Sequence, residues 1–299
     1  MPLIPTPTTL TRAVRVFVCR DWKPQAGKAS YNTFGGYPSP NSLGAWYEFE
    51  VSVRGVPQVS SGYLAKLAEL DCAVRSVAIA TLQNALFGNA AQVGHAAQVG
   101  HAAQVVNTAQ SVNAAQSVNA AQAPLSPPTL LHLMATGVSA ELGRPIDSLA
   151  WNLSPYHRLS WRHTMPTRTT VTSTFEFAAS HRLNDPTKSP AENQSFFGKC
   201  NLLNGHGHNY HLAVTIAVAT DCPFGIAELE RIVDQTVIER FDHMNLNIDC
   251  VEFRSLNPSV EHIAAVCFNL LQNPLLEHSA ELKSVRLWET SKTSATVEA

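Results

Sequence analysis

Long apolar runs are missing from this 299-residue chain; no stretch approaches the length that spans a bilayer, which excludes a helical membrane protein. An excess of basic charge is missing too: 21 Lys and Arg stand against 23 Asp and Glu, so no electrostatic footprint for nucleic acid is present. Met1 to Pro7 lacks a basic region followed by an apolar stretch, so no secretory signal is expected. The six cysteines, at 19, 72, 200, 222, 250 and 267, lack paired spacing. That pattern points to a reducing, cytoplasmic setting rather than a disulfide framework. Charged residues are sparse at 15%, whereas hydrophobic residues reach 45%, enough for a sizeable core in each of two domains.

Residues 90–122 form a drifting six-residue repeat, Ala-Ala-Gln-Val-Gly-His and then Ala-Ala-Gln-Ser-Val-Asn, without an acidic residue, a lysine or an arginine. It reads as an expanded surface loop without chemistry of its own. The six-residue spacing of His95 and His101 fits no ordinary ligand pair.

With that tract set aside, two halves match each other. Residues 34–47 line up without gaps on 197–210, and an alternating strand follows in each copy. Ala68-Glu69-Leu70 falls opposite Ala227-Glu228-Leu229 at a helix start, Pro128 opposite Pro258 at a second helix, and Trp151-Asn152 opposite Trp288-Glu289 on a last strand. Each half reads strand, strand, helix, helix, strand, with a further strand expected. The predicted fold is α+β: two tandem units, each a four-stranded antiparallel sheet with two helices on one face. The boundaries are 1–155 for the first unit, 156–170 for a linker marked by Pro166, and 171–299 for the second.

Chemistry-bearing residues occur in one copy alone. His206 and His208, at i and i+2, share one face of a strand, where two imidazoles can take two corners of a zinc tetrahedron. His181 ends the preceding strand and reaches the same site if the two strands pair. Cys200 precedes His206 by six residues. Opposite these four stand Tyr37 for Cys200, Leu43 and Ala45 for the two later histidines, and Asp21 for His181. Asp242-His243 face Gln83-Asn84, Glu261 faces Leu131, and Glu289 faces Asn152. Scaffold residues persist while every candidate ligand or base changes, so the second-half set acts together and the first half is a degenerate copy.

Four blocks in this order carry a resemblance: Phe177-Ala178-Ala179-Ser180-His181, the Cys-x5-His-Gly-His-Asn-Tyr run from Cys200 to Tyr210, Phe241-Asp242-His243-Met244-Asn245-Leu246, and Trp288-Glu289-Thr290. Residues 171–299 resemble the 6-pyruvoyl-tetrahydropterin synthases and, more broadly, the tunnelling-fold pterin synthases. The resemblance implies a Zn²⁺ site of His181, His206 and His208. It implies Cys200 as the catalytic base, helped by Asp242 and His243 from a neighbouring subunit, and Glu289 and Thr290 at the pterin. Ser259 and Glu261 match the family's Pro-Thr-x-Glu helix start, with Ser for Thr. The Asn that often follows the Glu-Thr pair is replaced here by Ser291-Lys292-Thr293. Lys199 and Arg182 are candidate phosphate contacts.

The activity implied is a zinc-dependent lyase converting 7,8-dihydroneopterin triphosphate to 6-pyruvoyl-tetrahydropterin. The alternatives are 6-carboxytetrahydropterin synthase of the queuosine pathway, whose relatives usually place the Cys four residues before the His, and a folate-pathway branch with a Glu near the Cys position. A non-catalytic pterin-binding scaffold is a reading from a different class. Three two-unit chains supply the six units of two stacked rings, so the resemblance implies a homotrimer acting on a small pterin, with no nucleic-acid or membrane partner.

Overall fold

The computed structural model describes residues 6–20, 36–40, 42–88 and 125–299; Asp21 and the hexapeptide tract with its two histidines lie outside the described residues. The chain divides into two compact units. One comprises Met1–Leu153, Leu159–Thr169 and Thr220–Cys222; the other comprises Ser154–Arg158, Thr170–Ala219 and Pro223–Ala299.

In the first unit, β1 (Thr8–Cys19) and β2 (Gly44–Gly55) pair antiparallel along their whole lengths, from Thr8 opposite Gly55 to Cys19 opposite Gly44. β3 (Ser148–Ser154) lies on the other side of β2, with Glu48 opposite Asn152. Period-two alternation buries Val14 and Val16 on β1 and Phe49 and Val51 on β2. Against them packs α1 (Leu67–Phe87), which buries Leu70, Val74 and Val77, and beside α1 lies α2 (Pro127–Glu141), which buries Leu131 and Met134. Each such side chain contributes about 1.5–3 kcal/mol by leaving water. Ser126 caps α2 by accepting from the Thr129 N–H, and Pro127 opens it where no donor is needed.

In the second unit, β5 (Arg168–His181) precedes α3 (Pro190–Phe197), whose start is a reciprocal capping box of Ser189 and Glu192. β6 (His206–Ala219) pairs antiparallel with β8 (Glu281–Thr290) in a register that sets His211 opposite Trp288, and β9 (Thr293–Glu298) pairs with β8. The two-residue β7 (Met244–Asn245) runs parallel to the end of β5. α4 (Ile226–Val233) runs on through a wider turn at Asp234–Ile238 to Phe241, so the chain leaves the helix at Asp242. α5 (Val260–Glu277) covers the sheet with Ile263, Cys267 and Leu271. Phe177, stacked on Tyr210 at 5.1 Å and tilted against Phe241 at 6.3 Å, anchors this core.

The sheet corrects the expectation of two separate four-stranded sheets. The described strands belong to one nine-stranded sheet, with β7 beside β5. The stretch read as a linker holds β4 (His157–Arg162) and the start of β5. Its prolines punctuate rather than break: Pro155 and Pro166 sit in the turns on either side, while Leu159 and Trp161 alternate inward and are buried. Among the described residues, no helix is long and apolar enough to cross a membrane.

Candidate metal centre

His181, His206 and His208 converge because β5 ends where β6 begins. At the join, Gly205 has φ +70°, and a Cβ there would stand 2.6 Å from the His181 carbonyl oxygen, so only glycine admits this approach. The i, i+2 spacing then turns both β6 imidazoles to the face of His181. The ring centroids lie 4.6 Å (His181 to His206), 4.7 Å (His206 to His208) and 5.2 Å (His181 to His208) apart. One nitrogen from each lies within 4.8 Å of the others.

The donor chemistry fits a cation. His181 is fully buried, and its Nδ1–H donates to the Pro258 carbonyl at 2.6 Å, which leaves the Nε2 lone pair facing His206 Nε2 across 3.2 Å. With both Nε2 atoms unprotonated, a positive charge between them would offset the repulsion of their lone pairs. His208 Nε2 is buried without a hydrogen-bond partner. Burial holds His181 and His208 below the ordinary imidazole range, which keeps them neutral and able to ligate. The three side chains can therefore hold a metal ion.

Glu289, near the end of β8, completes the cluster. Its Oε1 lies 3.4 Å from His181 Nε2 and 3.6 Å from His208 Nε2. Cys200, half-buried in the turn Gly198–Asn201, is held by its own carbonyl, which accepts from the Leu183 N–H at 2.8 Å just past His181. Burial and then the Glu289 charge push the Cys200 thiol up. Tyr210, two residues after His208, places a fully buried hydroxyl without a partner beneath the imidazoles; burial, Glu289 and Cys200 raise it strongly. Tyr210 stood in the motif, but its inward hydroxyl follows from β6 alternation combined with burial that no local pattern reveals. The Pro258 carbonyl that orients His181 is likewise invisible in sequence, being backbone from a distant segment.

The other candidates make contacts of their own. Asp242 accepts from the Ala178 N–H at 2.8 Å and from His243 Nδ1–H at 2.7 Å, and these bonds hold its carboxyl below the usual range. His243 adopts φ +59° and leaves its ring 83% exposed. Ser259 caps α5 by accepting from the His262 N–H, and its hydroxyl holds Glu261 below the usual carboxylate range. Thr290 Oγ1 accepts from Lys292 in the β8–β9 turn. The Arg182 guanidinium is engaged by the Asn201 carbonyl and the Asn184 side chain.

The model of the family described as 6-pyruvoyl tetrahydropterin synthase matches residues 170–299. The human 6-pyruvoyl tetrahydrobiopterin synthase is 36% identical over 124 residues, covering 40% of this chain and 84% of that protein. The chain belongs to the 6-pyruvoyl tetrahydropterin synthase family. The Drosophila melanogaster enzyme of the same name is 35% identical over 120 residues, with 39% of this chain and 71% of that protein covered. The structure of the Caenorhabditis elegans 6-pyruvoyl tetrahydropterin synthase is 31% identical and covers 44% of this chain and 96% of that chain, at a TM-score of 0.41. The second unit carries the three-histidine cluster. In the first unit Gln83, aligned with Asp242, donates to the Cys19 carbonyl, and Asn152, aligned with Glu289, donates to Glu48.

Proposed function

We propose that residues 170–299 form a zinc-dependent carbon–oxygen lyase that converts 7,8-dihydroneopterin triphosphate to 6-pyruvoyl-tetrahydropterin with loss of triphosphate. The observation that carries this reading is the cluster of His181, His206 and His208 with Cys200 six residues ahead, in a chain whose relatives are named 6-pyruvoyl tetrahydrobiopterin synthase. The Cys-x5-His spacing favours this product over the carboxylated pterin of the queuosine branch.

The three imidazoles would hold the ion. When bound, zinc supplies Lewis acidity that polarises the substrate's side-chain oxygens and acidifies the neighbouring C–H bonds. Cys200, as thiolate, would take the proton from carbon; burial and the Glu289 charge push its thiol up, and a nearby positive charge would oppose that shift. The electron pair left on carbon expels triphosphate from the adjacent carbon, and further proton shifts give the two ketones. Asp242 accepts His243 Nδ1–H, which leaves Nε2 to give and take protons. The exposure of His243 leaves it available to the site of a neighbouring copy in a homo-oligomer. Glu289 can accept two N–H bonds from the aminopyrimidine edge of the pterin, with Thr290, Ser259 and Glu261 shaping its surroundings.

The test is triphosphate release by the zinc-loaded full chain, with Cys200→Ala alongside. Release by the wild type and its loss in the variant support the lyase. A zinc-loaded wild type that releases no triphosphate refutes it.

A further inference from the structure

Glu289 is placed in a way that gripping a pterin alone does not explain. Its side chain is 19% exposed, and its only ion-pair partners among the described residues are His181 and His208. No lysine, arginine or backbone N–H of those residues partners the carboxylate. Neutral imidazoles do not offset a shielded negative charge, and a carboxylate in that setting is costly without a cation.

The distances fit a ligand set around a zinc-sized cation. Zinc bonds of about 2.0–2.2 Å in a tetrahedron set ligand atoms about 3.3–3.5 Å apart. His181 Nε2 lies 3.2 Å from His206 Nε2, 3.4 Å from Glu289 Oε1, and the same oxygen lies 3.6 Å from His208 Nε2. Glu289 Oε1 therefore stands at ligand spacing from two of the three imidazoles. The β6–β8 register makes this placement: Glu289 is one residue beyond the His211–Trp288 pair, so it enters the cluster from the neighbouring strand.

We infer that Glu289 is a fourth ligand of the metal while the pterin is absent, giving a three-histidine, one-carboxylate centre. The inference rests on the zinc reading above and deepens it, since one carboxylate then has two positions. It lies on the ion in the free protein and on the aminopyrimidine edge when substrate is bound, so arrival of the pterin frees a corner of the site. The carboxylate also lowers the net charge of the resting centre from +2 to +1.

The test uses Co²⁺ as the probe in the full-length chain, with wild type, Glu289→Ala and the near-isosteric Glu289→Gln. Affinity is read by competition with a chelator and coordination by visible absorption, without substrate. The expected result is one tightly held Co²⁺ in the wild type, with Glu289→Ala weakening it at least about tenfold, since even outer partners of ligands are worth about 10–100-fold. The visible bands shift in both variants. Should Glu289→Ala fail to fold, as judged by circular dichroism, the band shift in Glu289→Gln carries the test. Unchanged affinity and spectrum in the variants, with weakened pterin binding, overturn the inference and leave the zinc site standing. A wild type that binds neither Co²⁺ nor Zn²⁺ overturns the zinc reading itself.

Discussion

Gly205→Ala perturbs the join that brings the imidazoles together, and its cost can be worked from the structure. At φ +70° an L-residue carries strain of about 1–2 kcal/mol. The new methyl group would also meet the His181 carbonyl oxygen at 2.6 Å and its carbon at 3.2 Å, backbone atoms without a flexible end to swing away. Such overpacking adds about 1–3 kcal/mol, for a total of about 2–5 kcal/mol. Gly198→Ala is the control: φ is +57° but nothing lies within 4 Å of the added carbon, so only the strain of about 1–2 kcal/mol applies. Hydrogen exchange of β5 and β6 amides across a urea series reads the local stability of both variants in the metal-free protein. Chelator competition reads whether His181 has shifted against His206. The expected outcome is a larger loss for Gly205→Ala, accompanied by weaker metal binding that Gly198→Ala does not show. Equal losses and equal metal affinity would refute the claim that the close approach at Gly205 builds the site.

Three further outcomes are expected. His181→Ala removes a ligand and leaves the Pro258 carbonyl buried without its donor, so metal binding is abolished and stability falls by about 1–3 kcal/mol, measurable by calorimetry with and without zinc. In the metal-free protein, alkylation of Cys200 followed by peptide mapping rises only above the ordinary thiol range; Glu289→Gln removes a charge that disfavours the thiolate and moves that rise to lower pH. Ser259→Ala costs about 1 kcal/mol as a lost helix cap. Because Ser259 holds Glu261 below its unfolded value, the Glu261 contribution is present above that unfolded value and lost as pH falls through the lower folded one. Acid unfolding of the variant should show a shallower loss over that window.

Local chemistry was legible in the sequence wherever it depends on spacing. His206 and His208 at i, i+2 and His181 at a strand end needed only the period of a strand and one adjacent pairing. The alternation of Phe49 and Val51 and the helix starts near Pro128 and Ser259 were equally local. Features that depend on distant segments were not legible. Glu289 reaches His181 and His208 only through the β6–β8 register, and the Pro258 carbonyl arrives from the residue before the α5 cap. The stretch 156–170 carries two signals: Pro155 and Pro166 punctuate it as they would a linker, and Leu159 and Trp161 between them carry the period of β4. Two prolines in flanking turns and two in a disordered connector look alike in composition; burial distinguishes them, and burial is a tertiary property.

The central claim is the reaction, and mass spectrometry of the products from zinc-loaded full-length protein and 7,8-dihydroneopterin triphosphate tests it most directly. The account predicts 6-pyruvoyl-tetrahydropterin and triphosphate in equal amounts, both absent with Cys200→Ala. A carboxylated pterin, or unchanged substrate beside stoichiometric zinc, would contradict it.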